Sequence, residues 1–228
     1  MKKTYKIFRY ISFIVLLLCI TISCEKTITD FGFDGSISGT VKDASGKIVP
    51  GDITSNNLLV KALLDGDEVA IDLRVQGDGT FQNTKLFPGK FTVSISGPIF
   101  NVEPIIIDLS GGKSVVNDFT IVPYITIDSP VISGNPASTS VTINFRIKGN
   151  QDKVPSKREI YCSTVAYPTA TIGSGPFYQT ITKGLDIDEG SASVEGLTPN
   201  TKYYLRIGAQ ASGAGMNYSE QIVFNTSN

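Results

Sequence analysis

The sequence predicts an all-β protein: two tandem β-sandwiches after a cleaved signal peptide. Three observations carry that expectation. Past residue 34 the chain is a succession of short β-branched runs separated by Gly, Pro, Asn and Asp turns, the pattern of sandwiches. No stretch sustains a helical period of apolar residues. Length allows one large domain or two small ones, since cleavage before Cys24 removes 23 of 228 residues and leaves 205.

The chain opens with four cations (Lys2, Lys3, Lys6, Arg9) and an apolar run of 13 residues from Tyr10 to Ile22. A charged head, a short apolar stretch and a small residue before a cut are the parts of a secretory signal peptide. The run is short of the ~20 residues that a bilayer-spanning helix needs. The segment closes on Ile20-Thr21-Ile22-Ser23-Cys24. A cysteine directly after the small Ser23 resembles a bacterial lipoprotein signal, although Thr21 stands where Leu is more usual. That resemblance implies removal of residues 1–23 and acylation of Cys24, by palmitate or a similar chain, as the new first residue. The alternative is an uncleaved membrane anchor with an incidental cysteine. Residues 24–34 are short and polar and read as a tether.

Losing the leader cations leaves 16 basic against 21 acidic residues, a net charge near -5. That balance favours solubility and gives no long-range attraction for nucleic acid. The densest positive group, Lys153 with Lys157 and Arg158, is loop-sized. With Cys19 in the leader and Cys24 acylated, Cys162 is left alone, so no intramolecular disulfide forms. The chain contains no histidine, which excludes Ser-His-Asp and Cys-His nucleophile systems and His-containing zinc sites. Two acidic clusters, Asp65/Asp67/Glu68 and Asp186/Asp188/Glu189, sit beside turns where acids solvate well and bond their own backbone. Neither has the spacing of an EF-hand loop. The expectation is a non-enzyme with no metal and no cofactor.

The first domain is expected over residues 35–123. Its strands are read at 35–43, 58–64, 69–75, 90–96, 105–109 and 115–122, with Val49–Asn57 as a surface loop. Between them lie the turn Gln76-Gly77-Asp78-Gly79-Thr80-Phe81 and the segment Pro88-Gly89-Lys90-Phe91-Thr92-Val93. Gly39 to Gly46, Asp78 to Phe81 and Pro88 to Val93 resemble, in order, three motifs of the carboxypeptidase regulatory-like domain. That family is a transthyretin-like seven-stranded sandwich which generally serves as a spacer or assembly module.

The second domain is expected over residues 124–228. Val141, Ile143, Phe145 and Ile147 alternate with polar residues, so one face is buried and the other wet. The stretch from Val194 to Ala209, containing Gly196-Leu197-Thr198-Pro199-Asn200-Thr201-Lys202-Tyr203-Tyr204, resembles the E–F corner and F strand of a fibronectin type III (immunoglobulin-like) domain. The resemblance implies that Tyr203 is the corner tyrosine. It also implies that Tyr203, Leu205, Ile207 and Ala209 face inward while Tyr204 and Arg206 face out. Tyr218 to Thr226 is read as the closing strand, and Phe145 as the substitute for the usual core tryptophan. Val122-Pro123-Tyr124 leaves almost no linker, which implies two end-to-end sandwiches with limited swing.

Candidate binding residues concentrate in the Gly/Pro-rich stretch from Val165 to Tyr178, which carries Tyr167, Phe177 and Tyr178. Rings on a rigid loop stack on sugar faces or anchor a protein partner. Alternatively Phe177 pins the loop to the core and Tyr178 belongs to an edge strand, and the absence of tryptophan weakens a sugar-stacking reading. Tyr204 and Arg206 offer a further planar and polar contact, and Pro98-Ile99-Phe100 is a lesser candidate. A lipidated cysteine followed by these two domain types resembles a family of small lipoproteins of uncharacterised function from gut Bacteroidota, often encoded beside SusC/SusD-like glycan-uptake pairs. This implies an outer-membrane, lipid-anchored accessory or binding component of polysaccharide or nutrient uptake. Its expected partners are the membrane through Cys24, SusC/SusD-like proteins and a polysaccharide. The alternative is a structural or assembly lipoprotein, a spacer or surface-fibre subunit that contacts protein.

Overall fold

The computed structural model describes residues 32–55, 57–171 and 180–228. Cys24 and the rest of the leader and tether up to residue 31 lie outside them. All regular elements among the described residues are strands, and they divide between two hydrophobic cores.

In the first half the strands are β1 (Gly35–Asp43), β2 (Leu59–Leu64), β3 (Ile71–Arg74), β4 (Thr80–Leu86), β5 (Lys90–Ser96), β6 (Ile105–Asp108), β7 (Ser114–Val116) and β8 (Phe119–Ile121). One sheet pairs β1 antiparallel with β4 and parallel with both β7 and β8. The other runs β3-β2-β5-β6, antiparallel throughout. The core between them takes alternate residues, such as Ile37 and Val41 from β1 and Phe91, Val93 and Ile95 from β5.

Two features depart from the sequence reading. Strand β4 is almost wholly polar, and its two buried anchors, Phe81 and Leu86, are five residues apart. Strict alternation would place them on opposite faces. A bulge solves this: three steps along β4, from Asn83 to Leu86, oppose two along β1, from Ile37 to Gly35. The expected single strand over 115–122 is broken at Asn117-Asp118. There the Asp118 carboxylate accepts hydrogen bonds from the Thr40 amide at 2.8 Å and the Lys42 ammonium at 2.6 Å, bridging the gap between β7 and β8.

In the second half the strands are β9 (Ile125–Ile127), β10 (Val131–Ile132), β11 (Ser140–Gly149), β12 (Pro155–Ser163), β13 (Thr180–Gly184), β14 (Glu189–Glu195), β15 (Lys202–Ala211), β16 (Met216–Tyr218) and β17 (Ile222–Asn225). One sheet joins β9, β10, β11 and β14; the other runs β13-β12-β15, with β16 and β17 sharing the far edge of β15. Val141, Ile143, Phe145 and Ile147 are buried from β11, and Tyr203, Leu205, Ile207 and Ala209 from β15. The Tyr203 hydroxyl accepts a hydrogen bond from the Thr198 amide at 3.0 Å, closing the corner before β15. Phe145 is buried in this core.

Residues 33–228 form one unit rather than two modules on a string. Besides the short Val122-Pro123-Tyr124 connection, the sandwiches meet along a broad polar and aromatic junction. Lys47 donates to the Ile127 carbonyl at 2.9 Å, and Asn57 to the Met216 carbonyl. The buried Asn217 donates to the Pro98 carbonyl at 3.1 Å and accepts from the Ile125 amide at 3.0 Å. Phe100 meets Tyr124 edge-on with ring centres 4.9 Å apart. Two sequence expectations change accordingly. The Val49–Asn57 stretch is not a free surface loop, since Val49 and Asp52 are buried. Pro98-Ile99-Phe100 is part of the joint, with Ile99 buried.

Candidate functional site: a cleft at the sandwich junction

The outer face of the β12–β15–β16 sheet forms one side of the junction. Alternation on β15 sends Tyr204, Arg206 and Gly208 away from the second core. Across the ladder Arg206 lies opposite Tyr161, and Gly208 opposite Tyr218. Gly208 is required for close approach, because a methyl group there would sit 2.8 Å from the Tyr161 ring and 3.0 Å from that of Tyr218. The two rings thereby close to a centroid separation of 6.1 Å.

Arg206 is the centre of this face. Its guanidinium lies 4.0 Å over the Tyr218 ring, a cation–π contact that gains from desolvation. Nε donates to the Pro168 carbonyl at 2.7 Å and Nη1 to the Gly51 carbonyl of the first sandwich at 3.2 Å. Tyr218 in turn donates to Asp52 at 3.1 Å, whose other oxygen accepts from the amide and hydroxyl of Thr54 at 2.9 and 2.6 Å. Burial lowers the Arg206 pKa to about 10, against the opposing pull of Tyr218 and Asp52, so the group is a cation at neutral pH. Among the described residues, Nη2 of Arg206 is buried and has no hydrogen-bond partner.

Beside this cation opens a cleft of about 280 Å³, walled by Gly51, Gln76, Gly77, Asp78, Tyr167 and Arg206. A shallower depression of about 390 Å³ adjoins it, sharing Gly77, Asp78 and Tyr167 and extending to Glu220 and Gln221. Together they reach the size of small-ligand pockets, which favour domain interfaces. Tyr167 is the common wall. Its backbone lies at φ 54°, a left-handed conformation uncommon for a bulky side chain and of the kind that clusters at ligand sites. Its amide is held by Gln221 Oε1 at 2.8 Å. The ring packs flush against Gly77, where a methyl group would lie 2.3 Å from Tyr167 Cγ. Burial raises the Tyr167 pKa, reinforced by Asp78 and opposed by Arg206. At neutral pH the site therefore offers an aromatic wall, a carboxylate at the rim and a guanidinium in the wall.

The predicted site residues fall in different places. Tyr167 lines the cleft. Arg206 does point away from its own core, but it is 0% exposed because the first sandwich covers it, which corrects the expectation of a free surface contact. Tyr204 is half-buried, with the Lys202 ammonium 5.1 Å over its ring, and is not part of the cleft wall. Phe177, Tyr178 and Cys24 lie outside the described residues. Asp188 pairs with Arg158, and Glu189 with Arg146 at 3.4 Å. Sequence reasoning missed Gly51, Asp52, Gly77, Asp78 and Tyr218. They carry no shared motif, and only the docking of the two halves brings them together.

No protein-family profile matches the chain, and no curated protein matches it. Solved structures do. One, named "putative carbohydrate binding protein", is from Bacteroides uniformis; it is 22% identical, with a TM-score of 0.65 over 85% of this chain and 100% of that one. A DUF3823 family protein from Parabacteroides merdae is 20% identical, with a TM-score of 0.63 over 84% of this chain and 98% of that one. A third, a DUF3823 family protein from Bacteroides ovatus, is 19% identical, with a TM-score of 0.61 over 83% and 97%. The chain shares their two-sandwich fold. At these identities the likeness is one of fold, and it spans nearly the whole length of those Bacteroidota proteins. None of the three is named as an enzyme.

Proposed function

We propose that this chain is a non-catalytic carbohydrate-binding lipoprotein of the outer membrane, acting as an accessory or binding component of polysaccharide or nutrient uptake. The observation that carries the reading is the junction cleft, where Tyr167 presents a strained, braced ring beside a buried cation and a rim carboxylate. An apolar platform with few convergent polar groups is the usual make-up of a small-ligand site. The name borne by the Bacteroides uniformis neighbour supports the ligand class, and the lack of histidine supports binding over catalysis. The leader supports a lipid tether at Cys24; SusC/SusD-like membrane proteins are the partners we propose on the family resemblance alone.

The test is a glycan array probed with the full chain in detergent, followed by calorimetry on any hit. We expect binding that Tyr167→Ala weakens at least tenfold, and we expect Cys24→Ala to move the protein from the membrane to the soluble fraction. Binding to no glycan would refute the ligand class, and membrane retention of the Cys24 variant would refute the tether. A second reading, an assembly protein that contacts other proteins, draws on edge strand β6, where Ile106 is 67% exposed. Unpaired strand edges with apolar residues are sites of strand addition. Purification from membranes with a stoichiometric protein partner and no glycan affinity would favour it.

A further inference from the structure

The chemistry of the cleft goes further than a sugar in general. We infer that it selects a neutral sugar, reading a pair of adjacent hydroxyls between Asp78 and Arg206 while Tyr167 covers the ring face. This rests on the carbohydrate-binding reading above.

Donor and acceptor capacity decides the ligand. Nη2 of Arg206 is a donor without a partner among the described residues, and a buried polar group in that state calls for an acceptor. Asp78 is an acceptor only. One of its oxygens is engaged by the Thr80 amide at 3.0 Å and hydroxyl at 2.7 Å, and among the described residues the other accepts no hydrogen bond. A hydroxyl accepts and donates at once, so one hydroxyl of a vicinal pair meets Arg206 and its neighbour meets Asp78. A uronate carboxylate satisfies Arg206 but repels Asp78 and the more distant Glu220, both of which border the combined cleft. The Arg206 charge is already faced by Asp52, so the cleft has no cation left over for an anionic sugar. Nη2 is shielded from solvent, so seating the hydroxyl requires a local adjustment of the cleft wall that Arg206 forms together with Tyr167.

The inference is tested by affinity electrophoresis and calorimetry with the full chain. The probes are neutral galactomannan, xyloglucan and amylopectin, set against polygalacturonate and alginate. We expect at least one neutral polymer to bind and both acidic polymers to fail. Asp78→Asn keeps the acceptor for Thr80 and so keeps the turn, yet it should lose at least tenfold in affinity. Arg206→Lys should do the same, with circular dichroism confirming that it folds; if it does not fold, Asp78→Asn decides alone. Preference for an acidic polymer would overturn the inference and leave the carbohydrate-binding reading standing. So would neutral binding insensitive to Asp78→Asn. Binding to none of the five polymers, when the array has a hit elsewhere, would overturn this inference alone; no binding on either would overturn both.

Discussion

At the scale of a residue, Cys162 links burial to pH. It is fully buried on β12 within the second core, and desolvation pushes its thiol up to about 12. The unfolded chain releases that proton near 9, so between these values the folded state binds more protons than the unfolded one. Stability is complete below pH 9 and falls as pH rises, by up to about 1.4 kcal/mol per pH unit for the single group. Tyr161 and Tyr218 shift upward too, chiefly through burial, so the fall steepens once unfolded tyrosines ionise above about pH 10. Arg206 is protonated in both states up to about pH 9; nearer pH 10 the folded guanidinium begins to lose its proton, which opposes the fall without reversing it. Urea midpoints measured from pH 7 to 10 should decline from about pH 9, and Cys162→Ala should postpone the onset by about one pH unit. A midpoint independent of pH over that range would contradict the assignment. The sequence marked Cys162 only as an unpaired cysteine; Ile160, Tyr161, Cys162 and Ser163 are all buried, so no alternation along β12 announces which of them faces the second core.

At the scale of an element, the corner before β15 shows what a local motif encodes. Leu197-Thr198-Pro199 and Tyr203 were readable because the bond they make, Thr198 amide to Tyr203 hydroxyl, spans five residues. Tyr203→Phe removes the acceptor while keeping the ring stacked on Phe224 at 5.9 Å. We expect a loss of about 1–2 kcal/mol in denaturant unfolding with an unchanged m-value; no measurable loss would mean that the hydroxyl does not hold the corner. Strand β4 was not readable for the opposite reason. Its apolar anchors fall in register only through a bulge against β1, a partner some 45 positions away, and nothing within Thr80–Leu86 announces that pairing. The division of β7 from β8 at Asp118 likewise depends on Thr40 and Lys42.

At the scale of the whole molecule, the junction makes two sandwiches behave as one. A cation, a carboxylate and two tyrosines are buried where the halves meet, and such groups are tolerated only while their partners stay in place. Opening the joint strands Arg206 away from the Gly51 carbonyl and Tyr218 away from Asp52. Calorimetry should therefore show one cooperative transition for residues 33–228. Arg206→Ala should destabilise by about 3–5 kcal/mol, as loss of one partner from a buried charged network does, and should split the transition in two. Two separate transitions in the unaltered protein would show that the halves are energetically independent.

The sequence by itself determined the class of fold, the two cores and the inward and outward faces of the main strands. Those depend on short-range alternation and turn chemistry, which are written into consecutive residues. It also placed Tyr167 among the candidate binding residues and sent Arg206 to the outer face of its sheet. Only the tertiary structure decided that this outer face is an interior. Gly51, Asp52 and Gly77 come from one sandwich, and Tyr167, Arg206 and Tyr218 from the other. Their meeting is set by the packing of two separately patterned halves, so no local signal in the chain could announce the cleft between them.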